Sequence, residues 1–206
     1  MSRETFAPRS QADIHRLIAE HPLAWVVSGL GGDARATPLP IRPKFAADGK
    51  LDQLLGHFAR SNPQLEGLRR DPRALILFLG PHGYISPSWM ADRTQAPTWN
   101  YASVQFMTEL ELVEDPQGIE GLLRDLIEAM EAGRPRPWRL EDMGERYGAL
   151  SRGVVGFRAR ILEVRAKFKL GQDEREEVFG DILSGLEATG GLELGAWMKA
   201  FDEQGD

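Results

Sequence analysis

The chain has 206 residues, 42% of them apolar, a formal charge of −6 and no cysteine. That length and apolar content suit one globular domain with a real core and argue against a disordered chain. The acidic balance repels bare nucleic acid at long range, and the lack of cysteine excludes disulfides, thiolate metal sites and thiol catalysis. No apolar run reaches the ~18 residues a membrane span needs, and the opening MSRETFAPRS lacks the apolar stretch of a signal peptide. A soluble cytoplasmic protein with no membrane association is the expectation.

Residues 1–9 read as an extended lead-in. Ser10 and Asp13 resemble a capping box ahead of Ile14, Leu17 and Ile18, which predicts a helix over about 10–21. Leu23–Ser28 (LAWVVS) is a β run, and residues 29–33 (GLGGD) read as a hairpin turn. Residues 34–45 alternate but carry Pro38, Pro40 and Pro43, which confines such a strand to a sheet edge. A strand over 50–58 follows. Asn62 before Pro63 gives a helix start, with a short helix over Gln64–Arg70. Residues 73–79 (RALILFL) form a continuous apolar strand pattern.

The stretch 80–101 (GPHGYISPSWMADRTQAPTWNY) holds His82, Tyr84, Trp89, Trp99 and Tyr101 among three prolines. It predicts two short strands joined by a shaped connection, with rigid aromatics suited to a flat ligand or a subunit interface. The second of these continues as a long strand to residue 113. An amphipathic helix over 119–132 carries Leu122, Leu123, Leu126, Ile127 and Met130 on one side. A stiff basic linker (GRPRPW) leads to a helix over about 141–150. Residues 153–170 give the longest strand pattern, and helices over 173–188 and 194–201 close the chain, the closing helical region spanning 173–201. No strand–helix–strand rhythm repeats, so a mainly β, α+β fold with a small antiparallel barrel and peripheral helices is expected, as a single domain over 1–206.

The four histidines are scattered without metal-ligand spacing, so no metal site is expected, and no serine sits in a nucleophile elbow. Catalytic residues stay unassigned. His57, Arg60, Ser61 and Asn62 combine a guanidinium, a hydroxyl and helix-start amides, a set that binds phosphate. Equally, Asn62 can simply cap while Arg60 meets water. Lys167, Lys169 and Gln172 end the long strand, where a charged sheet edge is the better reading from the residues alone.

GHFARSNPQ, GPHGYISPSW, APTWNY and VVGFRARI…KFKLGQ, in this order and colinear from about Leu23 to Leu186, resemble the PaiB-type FMN-binding negative transcriptional regulators. The resemblance implies a split β-barrel, antiparallel and Greek-key, like those of pyridoxamine-phosphate oxidases, working as a homodimer with FMN at the subunit interface. It implies that Arg60, Ser61 and Asn62 grip the FMN phosphate beside His57. Thr37 and Pro38 pass along the flavin, and Trp99, Asn100 and Tyr101 wall the pocket. Lys167, Lys169 and Gln172 look like the segment offered by the second subunit. His82, Tyr84 and Trp89 are candidates for a substrate face, should the protein be a flavin-dependent oxidoreductase. The family segment KLSQN stands here as KLGQD, and Gly171 and Asp173 motivate a second reading, an interaction dimer that keeps the barrel without FMN. The closing helix is acidic, so no tight sequence-specific DNA contact of the protein's own is expected.

Overall fold

The structure, a computed structural model, describes residues 5–203, so residues 1–4 of the expected lead-in lie outside it. The elements are α1 (Gln11–Glu20), β1 (Leu23–Ser28), β2 (Arg35–Pro40), β3 (Arg42–Phe45), β4 (Leu51–Ala59) and α2 (Gln64–Arg70). They continue with β5 (Arg73–Ile85), β6 (Thr98–Val113), α3 (Pro116–Glu131), α4 (Tyr147–Ser151), β7 (Val154–Lys169), α5 (Glu176–Thr189) and α6 (Leu192–Glu203). A 3-10 segment occupies Pro87–Trp89, and 3-10 turns kinked at Gly144 occupy Leu140–Arg146.

Local chemistry accounts for most boundaries. The Ser10 hydroxyl accepts from the Ala12 amide at 3.2 Å while the Asp13 carboxylate accepts from the Ser10 amide at 2.9 Å, the reciprocal cap expected of that spacing. The chain folds back through Gly29, whose φ of +71° and 2.1 Å approach of a notional Cβ to the Asp33 carbonyl leave room for glycine alone. The Asn62 Oδ1 accepts from the Gln64 amide at 2.9 Å, and Pro63 has helical φ and ψ, so the cap-then-proline start is formed.

The seven strands run in the order β2-β1-β5-β6-β7-β4-β3. Two compact units divide the chain: Ile18–Phe78 with Gln105–Arg165, and the described parts of Met1–Leu17 and Ala166–Asp206 with Leu79–Val104. In the larger unit β2 and β3 lie at opposite ends of the strand order yet are separated by Ile41 alone, so the sheet curls round until its two rims meet. Ile41 is fully buried and donates its amide to the Pro22 carbonyl at 2.8 Å. The barrel interior is filled by inward residues such as Phe58 and Phe157, 5.3 Å apart, and Phe78 and Phe106, edge to face at 5.8 Å. In the smaller unit Phe168 stacks on Phe201 at 5.8 Å and packs against Trp197 at 6.2 Å, joining β7 to α6.

Four expectations are corrected. The run over 34–45 is two edge strands, because three prolines and a buried Ile41 break it in the middle. The stretch 80–101 does not start a new strand: β5 continues through Pro81 to Ile85. Pro81 lies beyond the last β1 partner of β5, which pairs only from Ala74 to Leu77, so its missing N–H removes no bond there. The helix expected over 119–132 begins a turn earlier, because Asp115 accepts from the Gly118 amide at 2.7 Å and Pro116 takes the first helical position. The helix expected over 141–150 is broken at Gly144, whose φ of 57° and ψ of −138° kink the chain within Leu140–Arg146, ahead of α4.

Candidate functional site

The residues singled out from sequence fall into two groups, one in each unit. In the larger unit, β2 carries Thr37 and Pro38, His57 lies near the end of β4, and the turn into α2 holds Arg60, Ser61 and Asn62. The structure ties most of this group together. Asn62 Nδ2 donates to Thr37 Oγ1 at 2.9 Å, and Thr37 Oγ1 donates to Gln64 Oε1 at 2.7 Å. Gln64 is buried and donates through Nε2 to the Val26 carbonyl at 2.9 Å. The network holds β2 against the start of α2 and engages both ends of the Asn62 amide.

Arg60 is anchored as well. Its Nε donates to the Arg152 carbonyl at 2.8 Å, its Nη2 to the Val154 carbonyl at 3.0 Å, and its Nη1 to Glu114 Oε2 at 3.0 Å. The other Glu114 oxygen accepts from Arg69 Nη2 at 2.9 Å. Three of five guanidinium N–H groups are therefore committed, and two, one on each terminal nitrogen, stay open on a side chain that is 42% exposed. The Ser61 hydroxyl makes no hydrogen bond among the described residues, and Ser61 is exposed. A guanidinium held in fixed orientation beside an open hydroxyl is a donor set that fits a phosphate dianion. Hydrogen bonds from Arg69 and then Arg60 hold the Glu114 carboxyl below its ordinary pKa. Desolvation holds the His57 imidazole below its ordinary value, so the neutral ring is favoured.

In the smaller unit, Trp99 and Tyr84 meet edge to face at 6.0 Å, both about half exposed. Asn100 is buried, with Nδ2 3.7 Å from Met198 Sδ. The Lys167 ammonium lies over the rings of Phe6 and Tyr101, at 5.5 and 5.7 Å. Lys169 Nζ donates to Thr98 Oγ1. Gln172 Oε1 accepts from the Leu170 amide at 2.7 Å, and its Nε2 donates to the Phe168 carbonyl, so Gln172 seals the end of β7. His82 is exposed, with Nδ1 2.9 Å from the Gly80 carbonyl, while Trp89 packs over Gly185 of α5. Gly171 has a φ of +91°, and a notional Cβ would lie 3.0 Å from both Met198 and the Phe179 ring. Backbone conformation and packing thus explain the glycine in KLGQD. Burial, with Asp173 adding to it, raises the Glu174 carboxyl above its ordinary pKa.

Sequence reading missed Gln64 and Glu114, the two side chains that organise the first group. Gln64 stood in plain view within NPQ, but only a buried helix start makes its amide a hub. Nothing near Glu114 in sequence announces two arginine partners.

A seven-stranded antiparallel sheet closed at Ile41 is a split-barrel fold. An FAD and haem binding protein of Mycobacterium smegmatis shares it with a TM-score of 0.58 at 18% identity, over 84% of this chain and 78% of that one. The flavocytochrome Anf3 of Azotobacter vinelandii has the same TM-score and identity, over 87% of this chain and 80% of that one. Residues 1–163 match the family model described as "Putative FMN-binding domain", and the chain belongs to that family, of PaiB type. Among curated relatives, the protease synthase and sporulation protein PAI 2 of Bacillus subtilis (strain 168) is 28% identical over 183 residues, covering 88% of this chain and 86% of that protein. Among the described residues no helix is long and apolar enough to cross a membrane, and no group of three or more His, Asp or Glu is placed to hold a metal ion.

Proposed function

We propose that the protein binds FMN as a homodimer and acts as a regulator or as a flavin-dependent oxidoreductase. The observation that carries this reading is the Arg60–Ser61 donor set, fixed by Glu114 and two carbonyls and open on one side, in a chain of an FMN-binding family. In it, Arg60 and Ser61 hold the phosphate, and Thr37 and Pro38 run along the flavin. Bound FMN supplies the redox chemistry, while the chain positions it and shapes access. Trp99, Asn100, Tyr101, Lys167, Lys169 and Gln172 complete the pocket in the dimer, and His82, Tyr84 and Trp89 offer a face for a substrate.

An outward apolar strip supports the dimer. By register Trp25 stands opposite Pro38 on β2 and Leu77 on β5, and Leu23 stands opposite Pro40. Leu23 is 64% and Trp25 51% exposed, more apolar surface than an isolated subunit gains by showing to water.

Titration of the purified protein with FMN, followed by flavin fluorescence, tests the proposal. Saturable quenching at one flavin per subunit is expected, with riboflavin, which lacks the phosphate, binding at least about tenfold more weakly. Arg60→Ala should erase most of that difference. A folded dimer that quenches neither flavin overturns the reading. Mixing the flavin-loaded protein with NADH or NADPH then separates an oxidoreductase that takes nicotinamide electrons from a protein that does not.

A further inference from the structure

We propose that the groove between β3, β4, β7 and the first turns of α3 is a second binding site, for a phosphate monoester carried on a small flat apolar group. The groove encloses about 850 Å³, lies wholly in the larger unit and shares no residue with the Arg60–Asn62 turn. Register builds its floor. Arg42 on β3 and Arg158 on β7 flank Leu55 of β4, all directly opposite one another and so on one sheet face; Lys44 opposes Gln53 in the next row.

These cations are not all spent. Arg42 is tied to Asp125 through Nε alone, at 3.1 Å, which leaves both terminal nitrogens. Arg158 lies 3.9 Å from Glu111, too long for a hydrogen bond. Lys44 is exposed and has no carboxylate within reach among the described residues. Asp115 and Asp125 line the groove too: Asp115 accepts from the Gly118 amide as the α3 cap and Asp125 pairs with Arg42, so three cations stand against two carboxylates. In a chain of charge −6, a groove lined by three cations and two carboxylates, with a net positive balance, is a local exception.

Gly121 forms part of the opposite wall. It sits inside α3 and lines the groove, yet a Cβ there would meet nothing within 4 Å. A helix-interior glycine costs about 1 kcal/mol relative to alanine, and here no packing requires it. Its bare flank keeps the groove open opposite the cations. Phe45, 43% exposed, and Leu55 supply the apolar surface on which a flat group lies.

The probe is phenyl phosphate, titrated calorimetrically at low salt into the full chain, with phenol and inorganic phosphate as controls. Phenyl phosphate should bind saturably, and phenol at least about tenfold more weakly. Lys44→Gln and Arg158→Gln should each weaken it several-fold, and Gly121→Leu should abolish it while leaving the melting temperature unchanged or raised. FMN quenching should survive Gly121→Leu intact, which keeps this groove separate from the flavin reading. Absence of saturable phenyl phosphate binding, or binding that Gly121→Leu leaves undiminished, overturns the proposal. Loss of FMN binding in Gly121→Leu overturns it too, by showing that the groove is the flavin site itself.

Discussion

Burial holds the His57 imidazole below its ordinary pKa because desolvation penalises the cation. The sign of the consequence follows by linkage. The unfolded chain binds this proton at the ordinary histidine pKa and the folded chain binds it only at lower pH, so acid favours unfolding. Stability is therefore intact above about pH 6.5 and is lost as pH falls from there toward the folded value. Urea midpoints at pH 7.5 and 5.5 should show a larger acid loss for the wild type than for His57→Gln; equal losses would remove His57 as the cause. Arg60 teaches a different lesson at this scale. Its residue type suited a phosphate ligand and a solvent-facing side chain equally, and its partners were not legible, since Glu114, Arg152 and Val154 lie far away in sequence. Only the fold reveals that two of its N–H groups remain open.

Elements fixed by neighbours in sequence were legible almost to the residue. β1, the glycine turn after it and the Asn62–Pro63 helix start needed nothing beyond local hydrogen bonds and backbone preferences. Pro81 inside β5 was not legible, because its tolerance depends on where β1 stops pairing, which is a property of a distant strand. Contact between elements also explains Gly185 of α5. A Cβ there would lie 2.3 Å from the Trp89 ring, which the 3-10 segment presses onto the helix. Gly185→Ala should therefore destabilise the protein by roughly 1–3 kcal/mol, although alanine is the better helix former. Thermal unfolding checks this, and Trp89→Leu should relieve part of the loss if the ring is the obstacle.

For the whole molecule, the outward strip of Leu23, Trp25, Pro38 and Leu77 is the surface whose fate matters most. Sequence placed Trp25 in a strand but could not say which face it took, since residues facing the core and residues facing a partner are equally apolar. Trp25→Glu should leave the fold intact, because the side chain is half exposed, and should convert a dimer to a monomer in sedimentation velocity. A wild type that sediments as a monomer at micromolar concentration would remove the dimer, and with it the shared pocket.

The seam at Ile41 also governs the order in which the barrel is made. Both rims of the sheet, β2 and β3, lie within the first quarter of the chain, whereas four of the five strands between them, β4 to β7, come later. β4 meets β7 only across about a hundred intervening residues, so this pairing carries the large loop-closure cost and forms late. During synthesis, the ribosome therefore releases a half-sheet whose β1 and β4 flanks are still waiting for partners. Pro38, Pro40 and Pro43 sit on the two strands that remain rims in the finished protein. They blunt those outer sides against stray strands from the start, leaving the nascent chain open only along the flanks that β5 and β7 will later occupy.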